Sequence, residues 1–138
     1  MTNNTALVQR FIDEIFVAGQ TDAVANLVTD DFVSHGLPGT GPRVMTSAIE
    51  RVSGALSEVT FQVEDTISQG DKVAVRLTSS AIQSGTFMGM PPTNKRYSIE
   101  EIHIFRIEGD KVAEHWHQMD AMGMLQQLGQ MPGPGGGA

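Results

Sequence analysis

The segment KVAEHWHQMDAMGMLQQLG, residues 111–129, changes period part-way along. In its first half Val112, Glu114 and Trp116 alternate with Ala113, His115 and His117. That is the two-residue period of a strand, which shows one set of side chains to each face. At Asp120 the alternation stops. Met124, Leu125 and Leu128 then recur at helical spacing, and Gly129 stands where a helix would end. The segment therefore reads as a last strand that runs into a short C-terminal helix. His115 and His117 share a face of that strand. A His-x-His pair at a strand end, followed by an aspartate and closed by an apolar helix, describes the mouth of a pocket. Taken without its surroundings, it describes equally well a strand with two histidines turned to solvent.

Upstream of this segment the chain reads as strands. Val59, Phe61, Val63 and Ile67 alternate with polar residues, and Gln69-Gly70-Asp71 turns the chain into a second run built on Val73, Val75 and Leu77. Residues 96–107 form a third long strand, turned by Glu108-Gly109-Asp110 into the strand with the histidines. Between the second and third strands, SGTFMGMPPTN (residues 84–94) is too densely punctuated by glycine and proline to be regular. It is expected to form a lid or rim, with Phe87 and Met88 toward a cavity mouth.

The first half of the chain is helical. Leu7, Val8, Phe11, Ile12, Ile15 and Phe16 give an amphipathic helix over residues 5–18, capped by Asn4 or Thr5 and ended by Gly19. Phe11, Ile15 and Phe16 are placed to roof a cavity. A second helix is expected over residues 22–28, then a brief edge strand at 31–35. The third helix spans 42–56, with Pro42 at its first position and Leu56 in its buried stripe. Helices, then long antiparallel strands, then a short helix is the pattern of an α+β fold. The curved mixed or antiparallel sheet must wrap around the three N-terminal helices, and such a cone has an open end suited to a small apolar ligand. Residues 1–130 are expected as one domain and MPGPGGGA, residues 131–138, as a disordered tail.

At 138 residues, 40% hydrophobic and 18% charged, the chain has the composition of an ordinary globular protein with a single core. A net charge of −7 argues against nucleic acid or an anionic membrane as partner. No apolar run approaches a membrane span, and MTNNTALVQR has no signal-peptide core, so a cytoplasmic location is expected. Cysteine is absent, which excludes disulfide and thiolate chemistry.

GDKVAVR (residues 70–76), GTFMGMPPTNK (85–95), HIFRIEGDKVAEHW (103–116) and the closing D-x-x-G-M-L-Q-Q-L-G, in that order, resemble the SnoaL-like polyketide cyclases. That family lies within the broader nuclear-transport-factor-2-like superfamily of α+β cones. The resemblance implies intramolecular aldol closure of a polyketide ring without cofactor or metal. It also implies a small apolar or aromatic polyketide-like substrate and a homo-oligomer, dimer or tetramer. It places the acid/base carboxylate directly after the tryptophan of the last strand, where this chain has His117. Two further departures are Gln83, where the family has a histidine before the glycine-rich loop, and Asn94, where the loop normally reads P-T-G.

A histidine can do the aspartate's work: its ordinary pKa of ~6.5 leaves it neutral, hence basic, at pH 7. Asp120 is placed to orient His117, to be the base itself, or to cap the last helix. His103 joins His115 and His117 only if the hairpin register allows. A two-residue turn sets it opposite Trp116. A three-residue loop sets it opposite His115, with Glu101 opposite His117. The family pattern, which puts the His103 and His115 equivalents in the pocket, favours the second. His103, His115, Gln83, Asn94 and Arg96 are candidate donors to the developing enolate, and His35 is a further candidate pocket contact. Three converging histidines with a carboxylate would also suit a metal, although the resemblance implies none. Epoxide or lactone hydrolysis, isomerisation and non-catalytic small-molecule binding remain alternatives on this fold.

Overall fold

A computed structural model of the chain describes residues 3–130; the glycine-proline tail expected at 131–138 lies outside the described residues. Helix α1 (Asn4–Phe11) starts one residue earlier than the sequence suggests. Its cap is Asn3, whose side chain accepts the Ala6 N–H at 3.1 Å. Beyond Phe11 the chain widens into a π-helical segment, Ile12–Val17, instead of continuing as α-helix. In an α-helix residues five apart point about 140° away from each other. The wider turn brings them back into line, and the Phe11 and Phe16 rings meet edge to face at 5.2 Å.

Gly19, at φ 61, turns the chain into α2 (Thr21–Leu27), which runs straight into β1 (Val28–Ser34). Helix α3 (Arg43–Ser53) follows Pro42 and stops at Gly54. Leu56 therefore belongs to no helix. It opens β2 (Leu56–Gln69), which is followed by β3 (Lys72–Gln83), β4 (Arg96–Glu108), β5 (Lys111–Met119) and α4 (Ala121–Leu128). Asp120 caps α4 by accepting the Gly123 N–H at 2.9 Å, and Gly129, at φ 71, ends it.

The strands form one mixed sheet in the order β1-β5-β4-β3-β2, with β1 parallel to β5 and every other pair antiparallel. Register shifts interrupt three of the four pairings, and each bends the sheet. The shift between β4 and β5 sets the site. Glu108 pairs with Lys111 across a two-residue turn at Gly109-Asp110, and Ile107 pairs with Val112, but Arg106 then pairs with Glu114. Ala113 is the extra residue of a bulge. Both registers considered from sequence are thereby corrected: His103 lies opposite His117, Phe105 opposite His115 and Glu101 opposite Met119. The bulge also turns Val112, fully buried, inward with the histidines, so it does not share the outer face with Trp116.

Two apolar clusters occupy the concave face. The larger packs Val75, Leu77, Phe105 and Val112 of the sheet against Phe11, Ile15 and their helical neighbours. The smaller joins Ala81, Tyr97 and Ile99 to Met124 and Leu128 of α4. Between them, where the cover passes from the N-terminal helices to α4, the inner face carries Ser79, Glu101, His103, His115 and His117.

Candidate active site

Each polar residue of this row comes from strand parity. Glu101 and His103 alternate inward on β4 with Phe105, His115 and His117 do so on β5 beyond the bulge, and Ser79 does so on β3. Ser34, at the end of β1, lies beside His115. Ser34, Ser79, Glu101, His103 and His115 are all buried, whereas the His117 side chain is 31% exposed.

They form one hydrogen-bonded network. Ser34 Oγ lies 2.8 Å from His115 Nδ1, and His115 Nε2 lies 2.8 Å from His103 Nδ1. His103 Nε2 is 2.8 Å and His117 Nε2 3.0 Å from the same oxygen, Glu101 Oε1, while Ser79 Oγ donates to Glu101 Oε2. The His103 and His117 rings stack almost parallel, 4.2 Å between centres at 7°. Phe16 covers His103 at 5.2 Å and is itself stacked on Phe61 at 5.3 Å.

Burial works against the Glu101 charge, but hydrogen bonds from His103, His117 and Ser79 outweigh it and take its pKa down to about 2. Burial pushes His103 below the ordinary histidine value despite the neighbouring carboxylate. The same cause, reinforced by His103 and His117, pushes His115 well below it. A negative carboxylate thus lies beneath two neutral imidazoles and one half-open imidazole. Tyr97, further along β4, stays a phenol because burial and the Glu101 charge raise it to about 12.

Of the residues singled out in the sequence, His117, His103, His115 and Glu101 come together, with Phe11 and Phe16 against them. The others are elsewhere. Asp120 caps α4 and makes no bond to His117. His35 is on the opposite face of the sheet, stacked on Trp116 at 5.0 Å and bonded to Glu114 at 2.6 Å, so it is no pocket contact.

Gln83 is fully buried and committed to the loop. Its amide donates to the Met90 and Pro91 carbonyls (3.2 and 3.0 Å) and accepts from Thr93 Oγ1 at 2.8 Å. Phe87 packs at the edge of the smaller cluster, and Met88, 67% exposed, faces solvent rather than a cavity. Sequence reasoning missed Ser34, Ser79 and Phe61. Each carried a usable signal, since its parity follows from its strand once the inward set is known.

Glu101, His103 and His117 each offer one atom within 4.8 Å of the others and are the residues that could hold a metal ion. Both Nε2 atoms are bonded to Glu101 Oε1, and a cation held between them would replace those two hydrogen bonds. No helix among the described residues is long and apolar enough to cross a membrane.

An α+β cone with a buried acid/base cluster between two apolar walls is an architecture of the nuclear-transport-factor-2-like kind. Within it, the chain matches the SnoaL-like polyketide cyclase family over residues 6–128 and belongs to that family. It is 32% identical over 120 residues to nogalonic acid methyl ester cyclase of Streptomyces nogalater, covering 83% of this chain and 89% of that one. It is 30% identical over 136 residues to aklanonic acid methyl ester cyclase DnrD of Streptomyces peucetius, covering 94% and 93%. The structure of TsrD from Streptomyces laurentii superposes with a TM-score of 0.79 at 30% identity, covering 91% of this chain and 97% of that one. These relatives support a cyclase-like function.

Proposed function

We propose that this chain closes a ring in a neutral, aromatic polyketide ester by an intramolecular aldol reaction, with no cofactor, and that His117 is its acid/base residue. The observation that carries this reading is the contrast within the histidine cluster. His103 and His115 are buried with both ring nitrogens bonded, while His117 shares the Glu101 carboxylate with His103 and stays part-open. In the reaction, His117 takes a proton from a carbon next to a carbonyl. The enolate carbon attacks a second carbonyl, one C–C bond forms, and the resulting alkoxide takes the proton back from the imidazolium. No atom is gained or lost, so nothing else need be supplied.

Glu101, negative beside the imidazolium, stabilises the charge that develops there. A chain of net charge −7 with a carboxylate in its site disfavours an anionic substrate, which suits an ester better than a free acid. Phe16 and Phe61 supply the apolar wall for an aromatic ring. Hydrolysis with a carboxylate pair gains no support, since Asp120 caps α4 and leaves Glu101 alone.

The test is ring closure of aklanonic acid methyl ester and nogalonic acid methyl ester by the purified protein. His117→Ala is expected to lower turnover by roughly 10²–10⁴ with the fold intact, and His117→Asp to restore part of it. Asp120→Asn is expected to cost less. An inactive Asp120→Asn beside a near-wild-type His117→Ala would reassign the base to Asp120.

A further inference from the structure

Three imidazoles stand side by side in this site, and the hydrogen bonds decide which of their six nitrogens can take a proton. We propose that Glu101 is the positioning residue for His117. Ser34, His115 and His103 form a one-way hydrogen-bond chain that, together with Ser79, holds Glu101, and His117 Nδ1 is left as the single ring nitrogen of the cluster free to take a proton. The catalytic meaning of this rests on the acid/base reading above; the direction of the chain does not.

The direction follows from one end. An ionised carboxylate has only lone pairs to offer, so every partner of Glu101 must donate to it. His103 and His117 therefore both carry their proton on Nε2, and both give it to Oε1 (2.8 and 3.0 Å). Neutral His103 then has a bare Nδ1, which must accept from His115 Nε2–H at 2.8 Å. Neutral His115 in turn has a bare Nδ1, which accepts the Ser34 hydroxyl proton at 2.8 Å. Ser79 donates to the other oxygen of Glu101.

Every nitrogen of His103 and His115 is consumed, and the two residues are 2% and 4% exposed. His117 Nδ1 has no partner among the described residues and is not shut away from solvent. The parallel stack of His103 on His117 fixes the plane in which that lone pair lies.

The groups facing Glu101 are His103 and His117, with Ser79 from β3 and Tyr97 further along its own strand; the helical cover contributes Phe11 and Phe16, which do not titrate. Charging His103 would require His115 to move its proton to Nδ1 and Ser34 to turn from donor to acceptor in the same event. Two members would have to reverse together, His115 by changing tautomer and Ser34 by rotating its hydroxyl. The chain thus resists taking up a second proton and leaves the chemistry to His117.

Long-range ¹H–¹⁵N spectra of the ¹⁵N-labelled full chain at pH 7.5 test this without substrate. The expected result is that His103, His115 and His117 are all Nε2–H tautomers, and that His103 and His115 keep that form at pH 6. A proton on Nδ1 of His117, or a charged His103 at pH 7.5, would overturn the proposal. Glu101→Gln keeps the shape and removes the charge. Turnover of aklanonic acid methyl ester is expected to fall by about 10² or more with KM within about twofold, and wild-type turnover by this variant would overturn the role of Glu101. If that variant does not fold, the wild-type spectra decide the chain alone. The expected tautomers in a protein that closes no polyketide ester would leave the hydrogen-bond chain standing and remove the cyclase reading.

Discussion

Glu101 is a buried carboxylate, and it remains charged because three donors converge on its two oxygens. Its pKa falls from 4.5 in the unfolded chain to about 2 in the folded one. A depressed carboxylate contributes stability above the unfolded value that is lost as pH falls toward the folded one. Here that contribution is about 3 kcal/mol, lost between pH 4.5 and 2. His103 and His115 act earlier. Both are held below 6.5 by burial, so below that pH the unfolded chain binds protons that the folded chain refuses. Each costs up to about 1.4 kcal/mol of stability per pH unit once the unfolded histidine is protonated. The urea midpoint is therefore expected to fall between pH 7.5 and 5.5, with a shallower slope in His115→Phe, which removes one of the two protons. Equal wild-type midpoints at the two pH values would mean that neither histidine is kept neutral by the fold.

Two irregular elements build the site, and they are where reading the sequence stopped short. The α+β order, the strand parities and the C-terminal Asp120 cap with its Gly129 stop were legible, because each depends on neighbours a few residues apart. The bulge at Ala113 was not. Val112 and Ala113 are both apolar and both buried, so nothing in the pattern marks one of them as extra, yet that residue decides that His103 faces His117. The π-helical turn was equally hidden, since Leu7 to Phe16 fit an α-helical stripe. Gln83 misled for a different reason: it stands at a histidine's position in the resemblance, and only the loop's three-dimensional path shows that its amide is spent on Met90, Pro91 and Thr93.

The π turn carries its own prediction, because it gives Phe11 and Phe16 different tasks. Phe11 is fully buried, and Phe11→Ala is expected to cost about 3–5 kcal/mol in denaturant unfolding. Phe16 is only half-buried above His103. Phe16→Ala is expected to cost clearly less stability while weakening binding of aklanonic acid methyl ester. Equal losses of stability with unchanged affinity would show Phe16 to be plain core.

At the scale of the whole molecule, the convex face of the sheet remains to be accounted for. Ile102 is 52% exposed there, beside Ile104 and Trp116. His35, Gly36, Gln118 and His117 complete a shallow groove of about 280 Å³ around these residues. Ion pairs flank this apolar strip: Arg76 with Asp65 and Glu100 on one side, Arg106 with Glu114 and Glu108 on the other. An apolar centre within a charged rim is the anatomy of a protein–protein contact. The Arg76 pairs are exposed and contribute little to holding the monomer together, while Arg106 and Glu114 are part-buried. A second copy of the chain can cover the strip by laying its own sheet across it, and a stable contact of this kind needs about 800 Å² from each partner. We therefore expect a homodimer. Ile102→Lys would place an unpaired ammonium at the centre of that contact, where removal from water is costly. It should give a monomer with unchanged far-ultraviolet circular dichroism, and also with unchanged imidazole tautomers, because Ile102 points away from the Glu101 network. Static light scattering at micromolar concentration decides it. A wild-type mass near 14.8 kDa would mean that the strip is simply solvent-facing and that the site is complete in one chain standing alone.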